Sequence, residues 1–260
     1  MVTTQQPTAP FEGARSARIR TYLIYIVLDT SESMRTPARG AAPQDAPLQH
    51  FVNLIPRMLR DLADSPVINS IASVSVLAFN DRPEVLRPMT SLVQAVAIGK
   101  PRLGYGTDYA SVLKFMVEQH PKDVRAVNLG RAREGLTVDV ARPWVFFITD
   151  GRPYARSANQ ETAEWMVHRD RLVNLPIGAR IAAIGLPGAD RDTLWELATG
   201  DDNGSRNAFI SDRRTTPREL SGSVVDAIQQ SIGMSTSAGM LTIESPVGMR
   251  RIDRPRRARD

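Results

Sequence analysis

Hydrophobic residues are clustered along this chain in a way that separates strands from helices. Seven run together in Tyr22-Leu23-Ile24-Tyr25-Ile26-Val27-Leu28, and β-branched and aromatic types dominate. A strand buried on both faces reads this way, so the run is predicted to be the central strand of a parallel sheet. Trp144–Thr149 (WVFFIT) predicts a second fully buried strand. Ile71–Phe79 (IASVSVLAF) alternates small polar with apolar residues and also reads as a strand, as do Ala179–Leu186 and the short Asn207–Ile210. Val85-Leu86 lies between Pro83 and Pro88, which suits an edge strand because proline cannot donate to a ladder.

Between these runs the spacing becomes helical. Phe51, Val52, Leu54, Ile55, Met58, Leu59 and Leu62 predict a helix over 48–62, kinked or split at Pro56. Ala110, Val112, Leu113, Met116 and Val117 form the stripe of a helix that Gly104–Asp108 opens and Pro121 ends. Gln160–Val173 and Arg191–Ala198 read as helices, and Pro217–Ile232 as the closing one, with Pro217 in its first turn. Segments 35–47 and 122–142 show no period and read as loops, with 131–135 as an exposed tip. Strands alternating with helices predict an α/β fold, a doubly wound, mostly parallel central sheet flanked by helices. It is expected to occupy 21–233, between a flexible N-terminal arm (1–20) and a flexible basic tail (234–260).

Composition narrows the chemistry. At 42% hydrophobic and 23% charged residues the chain reads as a soluble globular protein. No apolar run is long enough to span a bilayer, and the N-terminus has no apolar signal core, so no membrane contact and a cytoplasmic location are expected. The absence of cysteine excludes disulfides and thiolate metal sites. The net charge of +5 is carried almost wholly by arginine, Lys100, Lys114 and Lys122 being the only lysines. Codon usage of a GC-rich genome explains this first, attraction to acidic partners second.

Candidate chemistry sits where strands end or helices start. Asp29-Thr30-Ser31-Glu32-Ser33 ends the central strand, Thr107-Asp108 opens a helix, and Asp150-Gly151 follows the second apolar strand. In open α/β sheets the carboxyl edge is where ligands bind. If the three loops share that edge, Asp29, Ser31, Ser33, Thr107 and Asp150 bring two carboxylates and three hydroxyls together. Hard oxygen donors without Cys or His suit Mg²⁺ or Mn²⁺ better than Zn²⁺. Two carboxylates only balance a dication, which leaves room for an acidic group from a partner. His50, His120 and His168 lie in separate segments and read as surface or packing residues.

These motifs resemble those of the von Willebrand factor A domains. Their metal-ion-dependent adhesion site has the pattern D-x-S-x-S, then a Thr in a later loop, then an Asp after an apolar strand. DTSES supplies Asp29, Ser31 and Ser33, GYGTD supplies Thr107, and FFITDG supplies Asp150. The resemblance covers about Tyr22 to Ile232. It implies a Rossmann-like fold and a bound Mg²⁺ or Mn²⁺; Gly151 lies beside the ligand set, and Asp108 either supports it or caps the helix it opens, capping being at least as good a reading. It further implies a non-catalytic role, the capture of an Asp or Glu carboxylate on a protein partner. Residue 32, glycine in many relatives, is Glu32 here. The Ser-rich SIGMSTSAG and the general layout look most like the bacterial TerY-like proteins of tellurite resistance. That likeness implies a PP2C-type phosphatase and a protein kinase as partners, in a stress or tellurium-resistance system.

Two other functions compete. A strand-end Asp beside Mg²⁺ also suits phosphotransfer with Asp29 as nucleophile, but Ser31 stands where haloacid-dehalogenase-type phosphatases carry a second Asp. The arginines at 250, 251, 254, 256, 257 and 259 suggest nucleic-acid contact, although a run of this kind is usually a solvated end.

Overall fold

Every residue from Thr21 to Ser31 is buried. A computed structural model explains this by placing the segment at the centre of an eight-stranded sheet covered on both faces. The structure describes residues 17–37, 40–92, 94, 97–200, 204–211, 215–238, 243 and 245–254.

The chain begins with β1 (Ala17–Asp29), followed by the short α1 (Glu32–Arg35), α2 (Pro47–Ala63) and α3 (Pro66–Ile71). Strands β2 (Ala72–Phe79) and β3 (Pro83–Ser91) precede the long α4 (Tyr109–Arg133). Then come β4 (Leu136–Val140), β5 (Trp144–Thr149) and a small hairpin of β6 (Tyr154–Ala155) and β7 (Ala158–Asn159). The remainder is α5 (Thr162–Val173), β8 (Arg180–Gly185), α6 (Arg191–Leu197), β9 (Ala208–Ser211), α7 (Pro217–Ala238) and β10 (Met249–Arg251).

The sheet order is β10-β9-β8-β5-β1-β2-β3. Pairing is parallel except at the two edges, where β3 runs against β2 and β10 against β9. On one side of β1, β4 pairs with Ala17–Thr21 and β5 takes over at Ile24–Leu28. Alternate side chains of β1 feed two cores, which is why its apolar run has no polar gap. Ile24, Ile26 and Leu28 pack with Phe51 and Ile55 of α2 and Leu220, Val224 and Ile228 of α7. Leu23, Tyr25 and Val27 pack with Val112, Leu113 and Met116 of α4 and Trp165 of α5.

Several expectations need correction. Pro56 does not split α2, and Pro121 does not end α4, which runs another three turns to Arg133. That second half of α4 lacked an apolar period because polar side chains share its buried face. Asp123 accepts from Tyr25 Oη (2.9 Å), and Arg131 donates to the Ser70 carbonyl (2.7 Å). The 131–135 tip is exposed at 132–135 as expected, but it is the last turn of α4 and the turn that follows, anchored by the buried Arg131. Neither α3 nor β4 was anticipated, and β3 is longer than the Val85-Leu86 pair. The expected N-terminal arm loses Ala17–Arg20 to β1. The expected tail loses its start to α7 and its middle to β10, and the Ile252 N–H donates to the Ala208 carbonyl (2.8 Å). Of the tail arginines, Arg250 and Arg251 lie in β10, with Arg251 stacked 5.2 Å over the Phe209 ring. Residues 1–16 of the arm and 255–260 of the tail lie outside the described residues.

One buried charge sets the edge at β3. Arg87 is only 2% exposed, and its guanidinium donates to the carbonyls of Val74, Ser91 and Gln94 where the β2–β3 register shifts. Arg87→Met keeps the stem and removes the donors, stranding buried carbonyls. Urea unfolding is expected to show a loss of about 2–3 kcal/mol; a loss under 1 kcal/mol would mean that water replaces the guanidinium.

Candidate metal centre

Asp29 is the last residue of β1 and is fully buried. Its Oδ1 accepts the Ser31 N–H (2.9 Å), a local turn that swings the chain out of the strand. Its Oδ2 accepts the Thr149 hydroxyl (2.6 Å) from neighbouring β5. Ser31 Oγ and Ser33 Oγ are 3.2 Å apart, and Ser33 donates to Asp150 Oδ1 (2.8 Å). One continuous polar chain thus links the first loop to the loop after β5. Parallel pairing of β1 with β5 causes it, because both strands end at the same edge.

Thr107 enters from a third direction. Its N–H and carbonyl pair with the carbonyl and N–H of Tyr154 (2.8 and 3.0 Å), pinning the loop before α4 to the loop after β5. A Cβ on Gly151 would lie 3.0 Å from Thr107 Oγ1, so glycine there lets the two loops close on each other. Ser33, Thr107 and Asp150 all open onto one cleft of about 730 Å³. The five residues singled out in the sequence are therefore brought together. Asp108 serves as the N-cap of α4, accepting from the Ser111 N–H (2.8 Å) and from Gln160 Nε2 (2.8 Å). Glu32 is exposed at the start of α1 and lines the same cleft.

The sequence reading missed the residues that hold these loops in place. Asp81 accepts both the Tyr105 and Gly106 N–H groups (2.8 Å each), and a Cβ on Gly106 would lie 2.4 Å from its Oδ1. Asn80 donates to Thr30 Oγ1 (3.1 Å) and to the Arg102 carbonyl (3.0 Å), tying the first loop to the second. Thr149 and Gln160 are the other two. A signal for Asn80 and Asp81 was present: FNDRP is a polar cluster at a strand's carboxyl end, as DTSES and TDG are.

Burial pushes the Asp29 carboxyl up to about 7, with the Asp150 charge adding to the rise and hydrogen bonds from Thr149 and Ser31 opposing it. Burial also raises Asp150, to about 6, against the Ser33 hydrogen bond. Two carboxylates that resist ionising together are the electrostatic complement of a dication. The donor set fits a hard cation such as Mg²⁺ or Mn²⁺, two carboxylates with hydroxyls beside them. Among the described residues no group of three His, Cys, Asp or Glu side chains could hold a metal, so a cation here would depend on the hydroxyls and on ligands from outside.

The model of the von Willebrand factor type A domain family matches residues 24–222, and the chain belongs to that family. Solved structures share the fold. A von Willebrand factor type A protein from Catenulispora acidiphila is 13% identical with a TM-score of 0.54, the match covering 82% of this chain and 42% of that one. Proximal thread matrix protein 1 from the mussel byssus is 17% identical with a TM-score of 0.51, over 84% of this chain and 49% of that one. A variant of the PilB minor pilin from Streptococcus sanguinis is 10% identical with a TM-score of 0.51, over 87% and 64%. The chain thus spans less than two thirds of the length of each. No curated protein matches it by sequence. Among the described residues no helix is long and apolar enough to cross a membrane.

Two predictions follow from the geometry. Native Asp29 and Asp150 keep their protons to higher pH than they do in the unfolded chain, so metal-free stability should fall as pH rises from about 4 to about 7. Melting temperatures in EDTA should show this fall, and Asp29→Asn should flatten it; parallel curves would mean that the pair does not govern it. Asp81→Ala should speed hydrogen exchange at the Tyr105 and Gly106 amides and lower stability by about 1–2 kcal/mol. Unchanged exchange at both amides would show that Asp81 does not hold the loop.

Proposed function

We propose that this chain is a non-catalytic protein-binding module. Asp29, Ser31, Ser33, Thr107 and Asp150 hold Mg²⁺ or Mn²⁺ and present it to an Asp or Glu carboxylate of a partner protein. The observation that carries this reading is the convergence of two carboxylates and three hydroxyls from three loops at one cleft, with a charge that a single dication only neutralises. A bound dication supplies a Lewis-acidic position for the incoming carboxylate oxygen. Asp29 contributes charge from the buried floor, held rigid by Ser31 and Thr149. Ser33 and Asp150, more accessible, face the cleft.

The same geometry weighs against the phosphotransfer alternative. Asp29 has no exposed surface, and each of its oxygens is already engaged by a donor. A nucleophile needs an oxygen that substrate can approach. The proposed partners, a PP2C-type phosphatase and a protein kinase in a bacterial stress or tellurium-resistance system, rest on the TerY-like layout and on fold-level analogy. The cytoplasmic location belongs to the same proposal.

The test is thermal unfolding of wild type and Asp29→Ala with EDTA and with excess Mg²⁺ or Mn²⁺. Metal at about 100 times its dissociation constant stabilises the native state by about 2.7 kcal/mol. For a domain of this size that is a rise of roughly 5–10 °C in wild type. The rise should vanish in Asp29→Ala and shrink in Thr107→Ala. Equal behaviour of wild type and Asp29→Ala would sink the site assignment.

A further inference from the structure

The cleft beside the candidate metal centre is not lined by polar groups alone. Tyr105 and Tyr154 are 75% and 41% exposed and flank Thr107, the first on its own loop and the second on β6. Tyr105 and Tyr154 line the same cleft as Ser33, Thr107 and Asp150. Their backbones are held firmly. Asp81 grips the Tyr105 N–H, and Tyr154 is paired with Thr107 through both its backbone groups. Large aromatic side chains kept in water by a fixed backbone lose little entropy when a partner covers them. Pro187 and Pro217 line this cleft too, and give it apolar surface beyond the two rings. Arg152 adds a cation, 67% exposed and 3.3 Å from Asp190. The volume of about 730 Å³ falls in the range of roughly 300–1,000 Å³ typical of ligand clefts.

A carboxylate alone would use none of this apolar surface. We propose, on the basis of the carboxylate capture above, that the cleft recognises an extended segment of a partner protein. In that segment the metal-directed Asp or Glu is flanked within two positions by a large aromatic or aliphatic side chain. Tyr105 and Tyr154, with Pro187 and Pro217, take the apolar neighbour. The candidate cation sets the preference for an acidic residue, since Arg152 is already paired with Asp190 and Glu32 lines the same cleft. Tyr105 and Tyr154 are specificity residues, separate from those that hold the cation.

Selection of a random peptide library displayed on phage tests this, with the chain immobilised in Mg²⁺ and binders eluted by EDTA. The expected pool is enriched in an acidic residue with Phe, Tyr, Trp, Leu or Ile within two positions. A peptide from that pool should bind the double variant Tyr105→Ala, Tyr154→Ala at least tenfold more weakly, while that variant keeps the metal-dependent rise in melting temperature. Acidic peptides without an apolar neighbour, or equal affinity for the double variant, would overturn the apolar subsite and leave carboxylate capture standing. A pool that EDTA does not elute, or no pool at all, would overturn capture and the subsite with it. Mg²⁺-dependent dimers that the double variant abolishes would assign the cleft to a second copy of the chain and overturn the partner segment.

Discussion

Asp29 and Asp150 stand at the ends of adjacent parallel strands, both largely out of water. Removing one carboxylate from water costs several kcal/mol, and a second beside it adds repulsion. The surrounding structure answers that cost in a specific way. Thr149 and the Ser31 N–H donate to Asp29, and Ser33 donates to Asp150. These bonds lower both carboxyls part of the way and leave them still above the usual carboxylate range. Neutral donors moderate the repulsion without cancelling it, and the uncancelled part is what favours a cation. A lysine in the same place would form a closed ion pair with no use for a ligand.

The sheet explains why the pair exists at all. Neighbouring parallel strands end at one edge, so the residues that follow β1 and β5 are neighbours by construction. Thr107 comes from a loop instead, and needs scaffolding that strand ends do not. The turn between β2 and β3 supplies it. Asn80 bonds the first loop and the second, Asp81 grips Tyr105 and Gly106, and the Asp108 N–H donates to the Asn80 carbonyl (2.9 Å). The glycines at 104 and 106 make sense in this setting. Side chains there would collide with Asn80 and Asp81, so the two positions serve loop closure.

How much was legible depended on which force wrote the signal. β1 and β5 were plain because burial on both faces demands an unbroken apolar run. Asp29 and Asp150 were plain because an acid at the end of such a run has no core role to play. The second half of α4 was obscure because its buried face holds Asp123 and Arg131, satisfied by Tyr25 and the Ser70 carbonyl, which no periodicity of apolar residues can reveal. Pro56 and Pro121 misled for a related reason. An interior proline costs a helix about 3 kcal/mol through its lost bond and ring clash, and the tertiary packing of Phe51, Ile55, Met58 and Leu59 on one side of α2 is large enough to outweigh it. β4 and β10 were invisible because a partly covered strand of three to five residues carries little pattern of its own. Asp81 was overlooked although its position obeys the same strand-end rule as Asp29.

Rigid support and open valence are kept on different atoms of the same site. Asp29 is buried and doubly engaged, so it fixes charge and position. Ser33, Thr107 and Asp150 border the cleft, so they meet whatever arrives. Glu32, exposed between the two serines, places a further negative charge at the mouth of that cleft. It strengthens attraction for a cation and weakens it for an acidic ligand, while Arg152 acts in the opposite sense. Arg152 is already paired with Asp190, so these side chains add no net attraction for a partner's carboxylate beyond that of a bound cation. Affinity beyond that of the cation–carboxylate contact then has to come from surface that charge does not control, and in this cleft that surface is aromatic and apolar.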